Sequence, residues 1–265
     1  MSVDVLADQV ADSRRRLADA QAREPLADLM LRAERVPAPP SFHAALSGHG
    51  VAVIAEVKRG SPSRGPLAPD LDAVAIAQAY VAGGASAVSV LTAPVGFGGS
   101  LDDLAAVART GIPTLRKDFL VDPYQVWEAR AAGAAAVLLL AVVLDDGRLR
   151  ELLDAAQAAG LDALVEVHDE AEMVRVRALG PSIVGVNVRD LRDFSVENGR
   201  FTAVSALRPS GAVLVAESGV HGPEDVVAYA AAGADAVLVG EHLVTSSEPE
   251  TATRRLVEAG TGAMR

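Results

Sequence analysis

The stretch Ala82-Gly83-Gly84-Ala85-Ser86-Ala87-Val88 decides the fold, because the chain repeats it. Ala131-Ala132-Gly133-Ala134-Ala135-Ala136-Val137 and Ala231-Ala232-Gly233-Ala234-Asp235-Ala236-Val237 carry the same pattern. Ala158-Ala159-Gly160-Leu161-Asp162-Ala163-Leu164 is a looser copy. Physically each reads as a helix end, a glycine able to take positive φ, and a tight turn into a buried strand.

Outward from these turns, strand and helix patterns alternate. Short apolar runs predict strands over 51–57, 86–91, 113–116, 135–140, 162–167, 183–188, 212–216 and 236–239. Helical patterns follow over 70–82, 101–109, 123–132, 145–159, 170–179, 201–207, 223–232 and 249–259. Asp70 is the expected N-cap of the first of these. Strands apolar on both faces imply a parallel sheet covered by helices. Eight such units in this length favour a closed (β/α)8 barrel. An open doubly wound sheet predicts Gly-x-Gly-x-x-Gly after the first strand, and none is there. The expected organisation is an α/β chain, a single (β/α)8 TIM barrel over 49–265 with an N-terminal helical extension over 1–48. Leu6, Val10, Leu17, Leu26, Leu29 and Met30 give the extension loose helical spacing, and Pro37-Ala38-Pro39-Pro40 breaks it.

The 265 residues are 50% hydrophobic but only 3% aromatic, so the core is built from small side chains. The absence of cysteine excludes disulfides and thiolate chemistry and fits a cytoplasmic protein. A net charge of -11 disfavours nucleic acid and anionic membranes as partners, and Arg14-Arg15-Arg16 reads as a solvated helix face. No apolar run is long enough to span a bilayer, and the N-terminus has no signal-peptide core. The five histidines are scattered without metal-ligand spacing, so no metal is expected. His168 and Asp169 read as a loop start and a helix cap.

In a barrel of this kind the site lies at the C-terminal ends of the strands. Polar residues collect there: Glu56 and Lys58; Thr92; Arg116, Lys117 and Asp118; Glu166 and His168; Asn187, Arg189 and Asp190; Glu217, Ser218 and Gly219; Gly240 and Glu241. The fourth strand contributes nothing charged. Alternation along the first strand points Glu56 and Lys58 the same way as Ile54. A solvated rim explains each residue singly but not their convergence on one mouth. Lysines that can protonate or polarise an oxygen, beside carboxylates that can take protons, imply acid–base catalysis. The glycines after strands seven and eight suit a phosphate held by backbone N–H groups, which requires Glu241 to point away. Arg59 and Arg64, near Ser61 and Ser63, either help hold that phosphate or form a flexible basic loop.

Six segments carry a family resemblance: Ala55-Glu56-Val57-Lys58-Arg59-x-Ser61-Pro62-Ser63, Leu115-Arg116-Lys117-Asp118-Phe119, Leu164-Val165-Glu166-Val167-His168, Gly185-Val186-Asn187-x-Arg189-Asp190-Leu191, Ala216-Glu217-Ser218-Gly219-Val220 and Val239-Gly240-Glu241. In this order, over essentially the whole chain, they resemble the indole-3-glycerol phosphate synthase family of tryptophan biosynthesis. The resemblance implies a cytoplasmic, cofactor-free lyase, expected to be monomeric. Its substrate would be the small phosphorylated molecule 1-(2-carboxyphenylamino)-1-deoxyribulose 5-phosphate, and its products indole-3-glycerol phosphate, CO2 and water.

The resemblance also implies roles. Lys117 would be the general acid at the substrate ketone. Glu166 would be the proton-accepting or cation-stabilising carboxylate opposite. Glu56 and Lys58 would serve the later dehydration, with Lys58 also near the substrate carboxylate. Asn187 and Arg189 would orient Glu166 and the anthranilate carboxylate. Ser61, Gly219 and Gly240 would contact phosphate, while Phe97, Glu217, Ser218 and Glu241 complete the substrate-binding set. The chain departs from the family pattern at Ala93, where an acidic residue is usual, at Gly60 and Gly98, and over 194–199. Two other readings stand beside this one. A non-catalytic barrel would be expected to lose one of these costly buried charges. An isomerase acting on another ribulose-type phosphate fits the strand-one pair with Lys117 and Glu166 less well than ring closure does.

Overall fold

The computed structural model describes residues 5–62, 64–189 and 199–262. The features noted above at Ser63, Asp190 and 194–198 lie outside the described residues. Eight parallel strands close into a barrel: β1 Ala52–Val57, β2 Ala87–Leu91, β3 Thr114–Lys117, β4 Ala136–Leu140, β5 Asp162–Val167, β6 Ile183–Asn187, β7 Val213–Glu217 and β8 Ala236–Val239. The ring closes through β1 and β8, where Ile54 lies opposite Leu238 and Ala55 opposite Val239.

Strand alternation divides the apolar residues into two layers. Ile54, Leu115, Leu138, Leu140, Leu164 and Leu238 fill the barrel. Their neighbours Val53, Ala55, Val137, Leu139, Val165 and Val237 face outward to the helices. The small outward residues let the helices sit close. They are α4 Ala73–Ala82, α5 Leu101–Ala108, α6 Pro123–Ala131, α7 Asp146–Ala159, α8 Glu170–Leu179, α9 Gly199–Ser205, α10 Pro223–Ala231 and α12 Pro249–Gly262; α11 Glu241–Val244 is a short extra turn after β8. Helix α4 starts three residues later than expected, and its cap is Asp72 rather than Asp70: Asp72 Oδ1 accepts the N–H groups of Val74 and Ala75. Both aspartates precede the same apolar face, and only the path of the loop decides which one reaches the orphan amides.

Three helices precede the barrel: α1 Val5–Arg23, α2 Leu26–Glu34 and α3 Phe42–Leu46. Phe42 and Leu46 join the inner cluster, and the His43 N–H donates to Asp162 at the start of β5, so α3 closes the N-terminal end of the barrel. Helix α1 lies toward the other end. Gln9 donates to the Val95 carbonyl, the Ser13 hydroxyl donates to the Phe119 carbonyl at 2.5 Å, and Arg16 makes a two-pronged bond to Asp118 at 2.8 and 3.0 Å. Among the helices of the described residues, none is long and apolar enough to cross a membrane.

Asp118 also accepts from the Thr92 hydroxyl at 2.7 Å and from Arg116 at 3.2 Å. Arg116, a candidate at the mouth from sequence, is fully buried and committed to the Gln125 carbonyl, Glu128, Thr92 and Asp118. It braces the wall and does not enter the site. Burial alone would push the Asp118 carboxyl up, but Arg116, Arg16 and Thr92 hold it down at about 2. Its stabilising contribution is therefore full above the ordinary aspartate value and is lost as pH falls through about 2. Asp118→Asn should cost about 3 kcal/mol at pH 7, because it leaves buried Arg116 with Glu128 as its remaining carboxylate and takes from Arg16 its two-pronged partner. Urea unfolding between pH 4 and pH 2 should show a flatter pH dependence for the variant than for the native chain. An unchanged midpoint at pH 7 would refute the bracing role.

Candidate active site

The mouth at the C-terminal end of the barrel is a pocket with an apolar floor and a charged wall. Leu138 and Leu140 of β4 and Leu238 of β8 line it below Glu56, Lys58, Lys117, Glu166, Asn187 and Glu217. The strand without a charge thus supplies the surface on which an aromatic ring can lie. All thirteen site residues expected from sequence line this pocket, including Ser61, Phe97, Arg189, Ser218, Gly219, Gly240 and Glu241. Phe97 packs at a tilt on Phe119, with ring centroids 6.2 Å apart, and so fixes the lip of the β2–α5 loop.

Lys117 stands at the centre. Its Nζ lies 3.6 Å from Glu217 Oε2, 3.7 Å from Glu166 Oε2 and 4.0 Å from Glu56 Oε2. These are ion-pair distances longer than a hydrogen bond, so the ammonium is held by charge while keeping room for a substrate oxygen. Burial would lower its pKa, but the three carboxylates overcome that and raise it, so Lys117 carries its proton at neutral pH. Lys58 makes a closer pair with Glu56, 3.0 Å from its Oε1. Burial pushes Glu56 up, and Lys58 with Lys117 pulls it below the ordinary carboxylate range.

Glu166 and Glu217 divide their roles by environment. Burial favours the neutral form of both. At Glu166 this is outweighed by Lys117, His168 and Asn187, and the group is held low. At Glu217 the negative charge of Glu166 adds to burial, and the group is driven well above the usual carboxylate range. Glu166 Oε2 and both oxygens of Glu217 are buried with no donor in reach among the described residues. Two carboxylates sharing one site push the second toward its neutral form.

Asn187 fixes Glu166. Its Oδ1 accepts the Arg189 backbone N–H at 3.0 Å and the Ser218 hydroxyl at 2.9 Å. A backbone N–H can only donate, so the amide nitrogen must face the other way, where it donates to Glu166 Oε1 at 3.0 Å. Ser218 reaches Asn187 from a left-handed backbone conformation, φ 71°, rare for a residue with a side chain, and its carbonyl is held by the Tyr229 hydroxyl at 3.1 Å.

One expectation needs correction. Arg59 is not directed at a ligand: its guanidinium is spent on Asp103 at 2.5 and 3.0 Å and on the Gly98 and Leu71 carbonyls, tying the first loop to the second. Glu241 belongs to the lining, and its carboxylate pairs at 2.7 Å with Arg64, a residue outside the lining, which offsets its charge. Sequence reasoning also missed the part played by His168, which lies 3.2 Å from Glu166 Oε1 and 3.3 Å from Glu172 Oε2. The His-x-x-x-Glu spacing across a strand end and a helix start was the available signal. Among the described residues, no group of three or more His, Asp or Glu side chains is arranged to hold a metal ion.

Gly185, within one of the motif segments, has a steric role that the sequence does not announce. A methyl group on it would overlap the Glu217 carboxylate and come within 3.2 Å of Leu164 Cδ1. Gly185→Ala should therefore leave a folded barrel, since the displaced group is the end of a flexible side chain. Turnover should fall by roughly tenfold to a hundredfold through misplacement of Glu217. Native turnover in this variant, with an unchanged circular dichroism spectrum, would show that Glu217 need not sit where it does.

The family model for indole-3-glycerol phosphate synthase matches residues 6–256. The indole-3-glycerol phosphate synthase of Streptomyces griseus is 52% identical over 255 residues, covering 96% of this chain and 95% of its own. That of Mycolicibacterium gilvum is 52% identical over 248 residues, covering 92% and 91%. Among solved structures, 3-hexulose-6-phosphate synthase from Salmonella typhimurium superposes with TM-score 0.62 at 15% identity, over 81% of this chain and 100% of that one. Thiamine phosphate pyrophosphorylase from Pyrococcus furiosus gives TM-score 0.62 at 14% identity, over 85% and 100%. At such identities these two structures speak for the barrel alone.

Proposed function

The chain belongs to the indole-3-glycerol phosphate synthase family, and from that premise we propose how its residues divide the reaction. The enzyme is a decarboxylating lyase of tryptophan biosynthesis. It converts 1-(2-carboxyphenylamino)-1-deoxyribulose 5-phosphate to indole-3-glycerol phosphate, CO2 and water. Ring closure sets a weak carbon nucleophile of the aromatic ring against a ketone. That step needs a cation at the ketone oxygen, a negative group facing the developing iminium, and a pocket dry enough to strengthen both.

Lys117 donates the proton to the ketone oxygen. Glu166, held ionised and aimed by Asn187, faces the iminium and stabilises its charge. The substrate's own nitrogen serves as electron sink, so the carboxyl carbon leaves as CO2 without a cofactor. The close Glu56–Lys58 pair then serves the dehydration: one group protonates the departing hydroxyl and the other accepts the proton from carbon. Lys58 and Arg189 face the anthranilate carboxylate. Ser61 and the backbone at Gly219 and Gly240 hold the phosphate, while Phe97, Glu217, Ser218 and Glu241 complete the lining. Residues 1–48 act as an extension packed on the catalytic barrel of 49–265. We place the enzyme in the cytoplasm as a monomer, on the strength of its acidic, cysteine-free composition and family.

The single observation that carries this reading is the Lys117 ammonium, 3.6 to 4.0 Å from three carboxylates above an apolar floor. Lys117→Ala should lower turnover by about two to four orders of magnitude with little change in KM, the usual worth of one general acid. The assay follows indole fluorescence from the purified protein and substrate, with no metal or cofactor added. Turnover near the native rate would remove Lys117 from the mechanism.

A further inference from the structure

His168 follows β5 and precedes α8, and its ring is clamped between two carboxylates. Glu166 Oε1 is 3.2 Å from Nε2 and Glu172 Oε2 is 3.3 Å from Nδ1. Glu172 is itself fixed. It sits in the first turn of α8, where Asp169 Oδ1 caps its N–H at 2.8 Å, and its Oε2 accepts the backbone N–H of His168 at 2.8 Å. The side chain thus reaches back over the helix start and meets both the main chain and the ring of the same histidine. Nδ1 makes its hydrogen bond to Glu172, while Nε2 meets Glu166 at ion-pair distance without hydrogen-bond geometry; a carboxylate beside each nitrogen favours the doubly protonated ring. His168 is buried, 9% exposed, so this cation is shielded from bulk water.

We propose that His168 is a positioning residue for the reaction: anchored by Glu172, it stands as a fixed cation behind Glu166 and keeps that carboxylate ionised and aimed at the substrate. Glu166 Oε1 then accepts the Asn187 amide of β6 and has the charged face of His168 beside it, while its other oxygen is left toward Lys117. Burial would pull the imidazolium down, but Glu166 and Glu172 raise it to about 10, in accord with that geometry. The consequence for mechanism is a counter-charge that does not move. When Lys117 gives up its proton, Glu166 loses its facing cation but keeps the one behind it, and so stays a charged partner for the iminium through the step. The groups that set the charge of this unit are Glu166 beside the ring on its own strand and Glu172 on α8. Around Glu166 they are Lys117 on β3 and Glu217 on β7, with Asn187 as its neutral donor.

The proposal rests on Glu166 being the working carboxylate, so Glu166→Gln is the benchmark. His168→Gln, Glu172→Gln and Glu166→Gln would be compared in the fluorescence assay for kcat and KM from about pH 3 to pH 9, with thermal unfolding of each. Glu166→Gln should abolish most turnover. His168→Gln should lower kcat by roughly tenfold to a hundredfold, the scale of one lost bond to a charged group, with KM within about threefold. The acid limb of its kcat profile should move to higher pH, because a carboxylate deprived of a cation is protonated more easily. Glu172→Gln should change kcat and the acid limb in the same direction by less. If Glu166→Gln is impaired while His168→Gln keeps the native kcat and acid limb, the positioning role is wrong. It is equally wrong if His168→Gln loses activity only in proportion to folded protein, with its acid limb unmoved. If Glu166→Gln turns over normally, the assignment of Glu166 itself fails, and the proposal falls with it.

Discussion

Three carboxylates and two ammonium groups share one buried mouth, and that crowding is the constraint on which the rest of the structure depends. Burial works against every one of these charges, and no single pairing satisfies them all. The arrangement holds because opposite charges alternate: Lys117 stands among Glu56, Glu166 and Glu217, Lys58 closes on Glu56, and His168 stands behind Glu166. At Glu217 the remaining excess of negative charge drives the carboxyl well above the usual range. Each group is poised against a specific partner.

Such a balance requires rigid supports, and the barrel supplies them at every strand end. Asn187 is oriented by a backbone N–H and by Ser218, whose strained backbone is held in turn by Tyr229. Glu172 is oriented by the start of α8. The wall behind Lys117 is braced by Arg116 and Asp118, and Arg16 links that brace to the N-terminal helix. Long-range bonds therefore converge on residues one or two positions from the charged groups of the mouth. Gly185 contributes by absence, leaving the volume that the Glu217 carboxylate occupies.

The fold was legible in the sequence because its signal is local. Helix end, glycine, tight turn and apolar strand recur in a few residues, and each copy states the same supersecondary step. The alternation that put Ile54, Glu56 and Lys58 on one face is likewise a property of one strand. The site was legible where chemistry is tied to strand ends, as at Lys117, Glu166 and Asn187. It was misread where loops decide. Asp70 and Asp72 are equivalent to a local reading of cap signals, and only the loop path selects Asp72. Arg59 carries the right charge for a phosphate, but Asp103, far along the chain, claims it. His168 looked like a loop residue because its partners lie on its own strand and on the following helix, and only the turn between them brings their carboxylates to the ring.

The sequence by itself determined the repeating strand–helix unit, the number of those units, and which strand ends carry lysine, carboxylate or amide. These follow from periodicity and turn chemistry, which act over a few residues. The tertiary structure alone decided which charges meet, and therefore which carboxyl groups are held low and which are driven up: Glu166 low beside Lys117 and Asn187, Glu217 high beside Glu166, with Arg116 buried in the wall and His168 set behind Glu166. Protonation in a buried site depends on charges 3 to 4 Å away in space. In a closed barrel those neighbours come from strands far apart in the chain.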